Sequence, residues 1–140
     1  MVISSGFPRL TGSSMGDSIN KATKYVATNR PLSTDWKNTA VRLEGDVVAA
    51  IRNLKAGSGR EIQVHGSSTL IQTLLKNDLV DELWLKIFPV TVGSGRRLFA
   101  EGTSYAGFEL IESSVSPSGV IIAKYRRAGE VKSGSVPRPA

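Results

Sequence analysis

The sequence predicts an α/β domain with a mostly parallel sheet closed by a C-terminal antiparallel hairpin, and three observations in its 140 residues carry that prediction. The run from Glu61 to Phe99, EIQVHGSSTLIQTLLKNDLVDELWLKIFPVTVGSGRRLF, passes from a short apolar strand through a Gly/Ser turn into an amphipathic helix and a second apolar strand. Upstream of it, two short strand patterns precede another amphipathic helix. Downstream, Phe108 to Val115 and Val120 to Tyr125 flank Ser116-Pro117-Ser118-Gly119, a strong turn signal. Strands alternating with helices favour parallel pairing, whereas two strands joined by a tight turn pair antiparallel. No internal repeat is evident.

The elements follow in chain order. Met1 to Thr23 is a Gly/Ser-rich segment, MVISSGFPRLTGSSMGDSINKAT, in which Val2 and Ile3 can start a strand but nothing afterwards reads as a helix. In KYVATNRPL, Tyr25, Val26 and Ala27 form a strand punctuated by Arg30-Pro31. Thr39 to Leu43 is another short strand. Glu44 to Lys55 reads as a helix with Val47, Val48, Ile51 and Leu54 on one side, ended by Gly57-Ser58-Gly59. Ile62 and Val64 alternate with polar residues in the next strand. Leu70, Ile71, Leu74, Leu75 and Leu79 cover one face of the following helix, and Ser67 or Ser68 caps it. Leu83, Trp84, Leu85, Ile87, Phe88 and Val90 are nearly continuous, the pattern of a strand covered on both faces.

A strand that empties through small residues into a helix N-terminus presents backbone N–H groups and the positive end of the helix dipole, which suits an anion. Gly66-Ser67-Ser68 is such a turn, although a plain strand-to-helix connection uses the same residues. It is neither a P-loop nor the three-glycine dinucleotide fingerprint. His65, the single histidine, has no acidic or nucleophilic partner identifiable by spacing and reads as structural.

Taken together, HGSSTL, LVDELWLKIFPV and GSGRRLF resemble the C-terminal reductase domain of the bacterial bifunctional riboflavin-biosynthesis deaminase/reductase, and more closely its stand-alone relatives of dihydrofolate-reductase-like fold. The likeness runs from about Lys24 to Arg127. It implies a three-layer dihydrofolate-reductase-like domain that binds NADPH and transfers hydride to a small heterocyclic or carbonyl acceptor. By the same resemblance, Gly66, Ser67, Ser68, Thr69 and Leu70 hold the cofactor pyrophosphate. Thr28, Asn29 and Arg30 match the stretch that contacts the 2′-phosphate, where an arginine fork makes paired, charge-assisted hydrogen bonds. A homodimer is also implied.

Two departures accompany the likeness. Riboflavin-pathway reductases typically carry Gly-Gly where this chain has His65-Gly66, the form of the stand-alone relatives. Family members also open with an apolar strand, a substrate loop and a helix for which Met1 to Thr23 is too short. The expected organisation is therefore an irregular segment over 1–23, a shortened nucleotide-binding domain over 24–128 and a basic flexible tail over 129–140. The alternative to a reductase is a non-catalytic nucleotide-binding or dimerisation domain derived from the family. No catalytic residue is nominated.

The remaining charged features read as structural or solvated. Arg96 and Arg97 follow the Gly93-Ser94-Gly95 turn and read as solvated cations, the alternative being attraction of a phosphorylated substrate, and Asp81-Glu82 opens a strand. The net charge is +6, with Lys124, Arg126, Arg127, Lys132 and Arg138 concentrated near the C-terminus. This favours non-specific polyanion contact by the tail, but no nucleic-acid module accompanies it. With no cysteine and one histidine, disulfides and thiolate or histidine-cluster metal sites are excluded. No apolar run approaches bilayer length, and the N-terminus lacks a secretory pattern, so a cytoplasmic protein is expected.

Overall fold

The computed structural model describes residues 2–3, 14–28, 31, 40–132 and 134. Asn29 and Arg30 lie outside them, as does most of the expected tail. The described chain forms two compact units, residues 1–77 and 78–140.

The first unit carries β1 (Val2–Ile3), α1 (Ser14–Lys21), β2 (Lys24–Ala27), β3 (Ala40–Leu43), α2 (Val47–Ala56), β4 (Gln63–Val64) and α3 (Ser68–Lys76). Its four strands are all parallel and stand in the order β3-β2-β1-β4. Helices α2 and α3 each begin where the sequence supplies a cap. Asp46 Oδ1 accepts from the Val48 N–H at 2.9 Å, and Ser67 Oγ accepts from the Leu70 N–H at 3.4 Å. Among the described residues, Leu43, Ile51, Leu70, Leu74 and Leu75 are the buried apolar residues of this unit.

Helix α1 corrects the expectation of a helix-free N-terminal segment. Its residues, SMGDSINK, are poor helix formers for the most part, and its periodic apolar signal is short. Its C-terminal end is secured from outside. Lys24, at 1% exposure, donates from Nζ to the carbonyl oxygens of Asn20 at 3.0 Å and Ala22 at 2.8 Å. A cation at a helix C-terminus satisfies orphan carbonyls and complements the dipole. Burial pushes the Lys24 ammonium below the ordinary lysine pKa.

Helix α3 ends at Lys76, so Leu79 is not on its face. Asn77 caps the helix, and Asp78, at φ 51°, takes the left-handed conformation that stops it.

The second unit carries β5 (Glu82–Ile87), β6 (Phe108–Val115) and β7 (Ile121–Arg127), an antiparallel sheet in the order β5-β7-β6. The C-terminal hairpin is as expected, with Gly119 at φ 78° in its turn. The expected parallel strands and antiparallel hairpin are both present, the described strands forming a four-stranded parallel sheet in the first unit and a three-stranded antiparallel sheet in the second. Strand β5, whose near-continuous apolar pattern suggested cover on both faces, pairs with β7 among the described residues, and two of its apolar side chains are exposed. Trp84 is 63% exposed and Ile87 51% exposed.

On one face of this sheet the register sets a charged ladder. Arg126 stands between Glu82 and Glu109, and Lys124 between Trp84 and Glu112. Glu82 Oε2 meets Lys124 Nζ at 2.9 Å, Arg126 lies 3.9 Å from Oε1, and the Lys124 ammonium lies 4.7 Å from the Trp84 ring centroid. The hydrogen bond from Lys124 is the main cause that holds the Glu82 carboxyl below its ordinary pKa. Asp81 contributes its backbone carbonyl, which accepts from the Arg127 N–H at 2.8 Å. Both acids of the LVDEL entrance thus have contacts that organise the sheet.

Candidate functional site

Strand order locates the site. From β1 the chain steps outward through β2 to β3, then returns to place β4 on the opposite flank of β1. In parallel sheets the loops diverge where the order reverses, leaving a crevice beyond the carboxyl ends of the strands. Here that point lies between β1 and β4. The register pairs Ile3 with both Tyr25 and Val64, so Thr28 lies three positions and Gly66 two positions beyond the level of Ile3. The backbones of β2 and β4 are about 9–10 Å apart, twice the spacing between neighbouring strands. Residues that are 38 positions apart in sequence, Thr28 and Gly66, therefore flank one strand end.

The β4–α3 loop brings the residues from Gly66 to Leu70 into one turn. Gly66 has φ 134°, a conformation that favours glycine, and a side-chain carbon there would meet nothing within 4 Å. Ser67 in the extended conformation caps α3, with its carbonyl oxygen accepting from the Ile71 N–H at 3.0 Å. The first helical N–H groups, from Ser68 and Thr69, belong to the turn that has no intrahelical acceptor. Ser68 is half-buried and Thr69 exposed. Leu70 differs: its side chain is buried and its N–H is engaged by Ser67 Oγ, so it anchors the turn.

The donor chemistry of this turn, backbone N–H groups at a helix N-terminus with two hydroxyl side chains and open space at Gly66, fits a pyrophosphate. His65 is exposed, and its Nε2 lies 3.4 Å from Gln63 Oε1. Arg96 and Arg97 are exposed in the second unit.

A residue that spacing did not single out stands at the same end of the sheet. Arg42 on β3 pairs in register with Val26, and its Nε donates to the Thr28 carbonyl oxygen at 3.2 Å. Parallel pairing of β2 and β3 creates this proximity, which strand periodicity alone does not show.

Comparison with known proteins agrees with the architecture. The Bacillus subtilis (strain 168) protein YyaP is 28% identical over 111 residues, covering 79% of this chain and 58% of YyaP. Its compatriot YwjB is 34% identical over 82 residues, covering 59% of this chain and 47% of YwjB. The chain thus spans about half the length of these curated relatives. A putative riboflavin biosynthesis protein from Shewanella sp. PV-4 superposes with a TM-score of 0.68 at 25% identity, covering 91% of this chain and 72% of that one. A pyrimidine reductase-like protein from Corynebacterium diphtheriae shares the fold, with a TM-score of 0.56 at 18% identity over 77% of this chain and 50% of that one. The fold is the α/β, dihydrofolate-reductase-like one. With residues 8–122 matching the family described as RibD C-terminal domain, the chain belongs to that family.

Proposed function

We propose that this chain is an NADPH-dependent reductase of the riboflavin-biosynthesis type, acting on a small heterocyclic or carbonyl acceptor in the cytoplasm. The observation that carries this reading is the Gly66-Ser67-Ser68-Thr69 turn at the β1/β4 reversal, with Thr28 on the other flank of β1. The bound cofactor supplies the hydride. The chain's own contribution is to bind and orient. Ser68 and Thr69 hold the pyrophosphate at the N-terminus of α3, Gly66 lets it approach the backbone, and the Thr28-Asn29-Arg30 stretch receives the 2′-phosphate. Such positioning supplies much of the rate of a transfer between two bound partners. The proton donor is not assigned to any residue.

The test is titration of the purified protein with NADPH and NADH, read by fluorescence of Trp36 and Trp84 and checked by calorimetry. Saturable binding that prefers NADPH supports the reading, and absence of binding to either overturns it. Sustained, acceptor-dependent NADPH oxidation then separates a reductase from the second reading, a non-catalytic nucleotide-binding or dimerisation domain.

A homodimer belongs to both readings. It is supported by one rung of the antiparallel sheet, where Ile87, Ile121 and Val115 are paired in register and 51%, 43% and 68% exposed. Adjacent exposed apolar side chains of this kind mark association surfaces. Sedimentation equilibrium should give twice the chain mass of 15.0 kDa, and Val115→Lys should return it to the single-chain value.

A further inference from the structure

We infer that Arg42 is a specificity-determining residue that favours a 2′-phosphorylated adenosine over one with a free 2′-hydroxyl. The inference rests on the NADPH reading above and adds to it a residue from a different strand.

Arg42 is exposed, one position before the end of β3, and its side chain turns toward β2 rather than away along its own strand. The hydrogen bond from Nε to the Thr28 carbonyl oxygen holds the guanidinium at the carboxyl end of β2. That bond uses one of five N–H donors. The other four belong to the two terminal nitrogens, the pair that forms a two-pronged contact with phosphate oxygens. A phosphate beside Thr28 therefore lies within reach of a cation whose orientation is already set by the backbone. Less side-chain freedom is lost on binding when the fork is held beforehand.

Glu44 and Asp46 follow Arg42 closely in the chain. Asp46 is committed to the cap of α2 through Val48. Glu44 is exposed two positions after Arg42. The bond to Thr28 puts Arg42 at the strand end in question.

The competing role is a staple between β2 and β3. Four register pairs already join these strands, so removal of the side chain leaves the pairing intact. The two roles separate in a comparison of ligands. Dissociation constants are measured by calorimetry for NADPH, NADH, adenosine 2′,5′-bisphosphate and adenosine 5′-monophosphate, in wild type, Arg42→Ala and Arg42→Lys. The expected result for Arg42→Ala is about tenfold weaker binding of the two 2′-phosphorylated ligands, the usual scale for a lost charged hydrogen-bond contact, with the other two unchanged. Arg42→Lys, which keeps charge but not the fork, should recover part of the loss. Equal weakening of all four ligands, or an unchanged ratio, overturns the role of Arg42 while leaving the cofactor reading intact. Failure of wild type to prefer 2′-phosphorylated ligands overturns both.

Discussion

The Lys24 ammonium closes the C-terminal end of α1 by donating to the Asn20 carbonyl oxygen at 3.0 Å, while its own backbone opens β2 opposite Val2. One side chain thereby joins a weak helix to the strand whose far end reaches the candidate site. Lys24→Ala should lower unfolding stability by about 2–4 kcal/mol, since it removes two hydrogen bonds and leaves a cavity. Urea denaturation followed by far-ultraviolet circular dichroism checks this, and an unchanged midpoint would remove Lys24 from the packing account.

Glu82 carries the pH dependence. Its folded-state pKa is lowered, chiefly by the hydrogen bond from Lys124, so its contribution is fully present above the ordinary glutamate value of 4.5 and is lost as pH falls through the lower folded value. Wild type should therefore lose stability across that acidic window. Glu82→Gln should flatten the loss attributable to this group, which thermal melts at a series of pH values below 4.5 would reveal. Identical pH profiles for both proteins would count against the ladder.

Gly66 tests the cofactor turn. At φ 134° any side chain is strained, and Gly66→Ala should cost about 1–3 kcal/mol even though the space beside it is open. Ser67→Ala should cost about 1 kcal/mol through the lost cap. A fall in NADPH affinity that is larger in Gly66→Ala than in Ser67→Ala, measured well below both melting temperatures, supports close approach of the pyrophosphate to Gly66. Equal affinities in both variants and wild type would exclude this turn as the binding site.

Gly107 tests the antiparallel unit. A side-chain carbon there would lie 2.8 Å from the Glu130 carbonyl oxygen and 3.3 Å from that of Gly129, both backbone atoms. The Gly107 N–H also donates to the Gly129 carbonyl oxygen at 2.9 Å. Gly107→Ala must move backbone, at a cost of about 1–3 kcal/mol, as for other overpacked sites. A neutral substitution in equilibrium denaturation would show that this segment yields freely.

Much of the architecture is local information and was therefore readable from the residues. The α3 leucine face, the Ser67 cap, the Gly57 stop of α2 and the Ser-Pro-Ser-Gly hairpin each depend on side chains within a few positions of one another. The turn from Gly66 to Leu70 was readable for the same reason, although the burial of the Leu70 side chain was not. Helix α1 escaped notice because its stability comes from Lys24, outside the helix. The exposure of Trp84 and Ile87 on β5 was not readable, because a near-continuous apolar run does not say which of its side chains a neighbouring layer covers.

The sequence by itself thus determined most of the order of elements, the hairpin and the Gly66-Ser67-Ser68 turn into α3, since caps, turns and periodicity act over single turns of backbone. Only the tertiary structure decided the β3-β2-β1-β4 order, the β5-β7-β6 order and the approach of Arg42 to Thr28. Those relationships depend on pairing between distant strands, and no short-range pattern encodes which partner a strand will take.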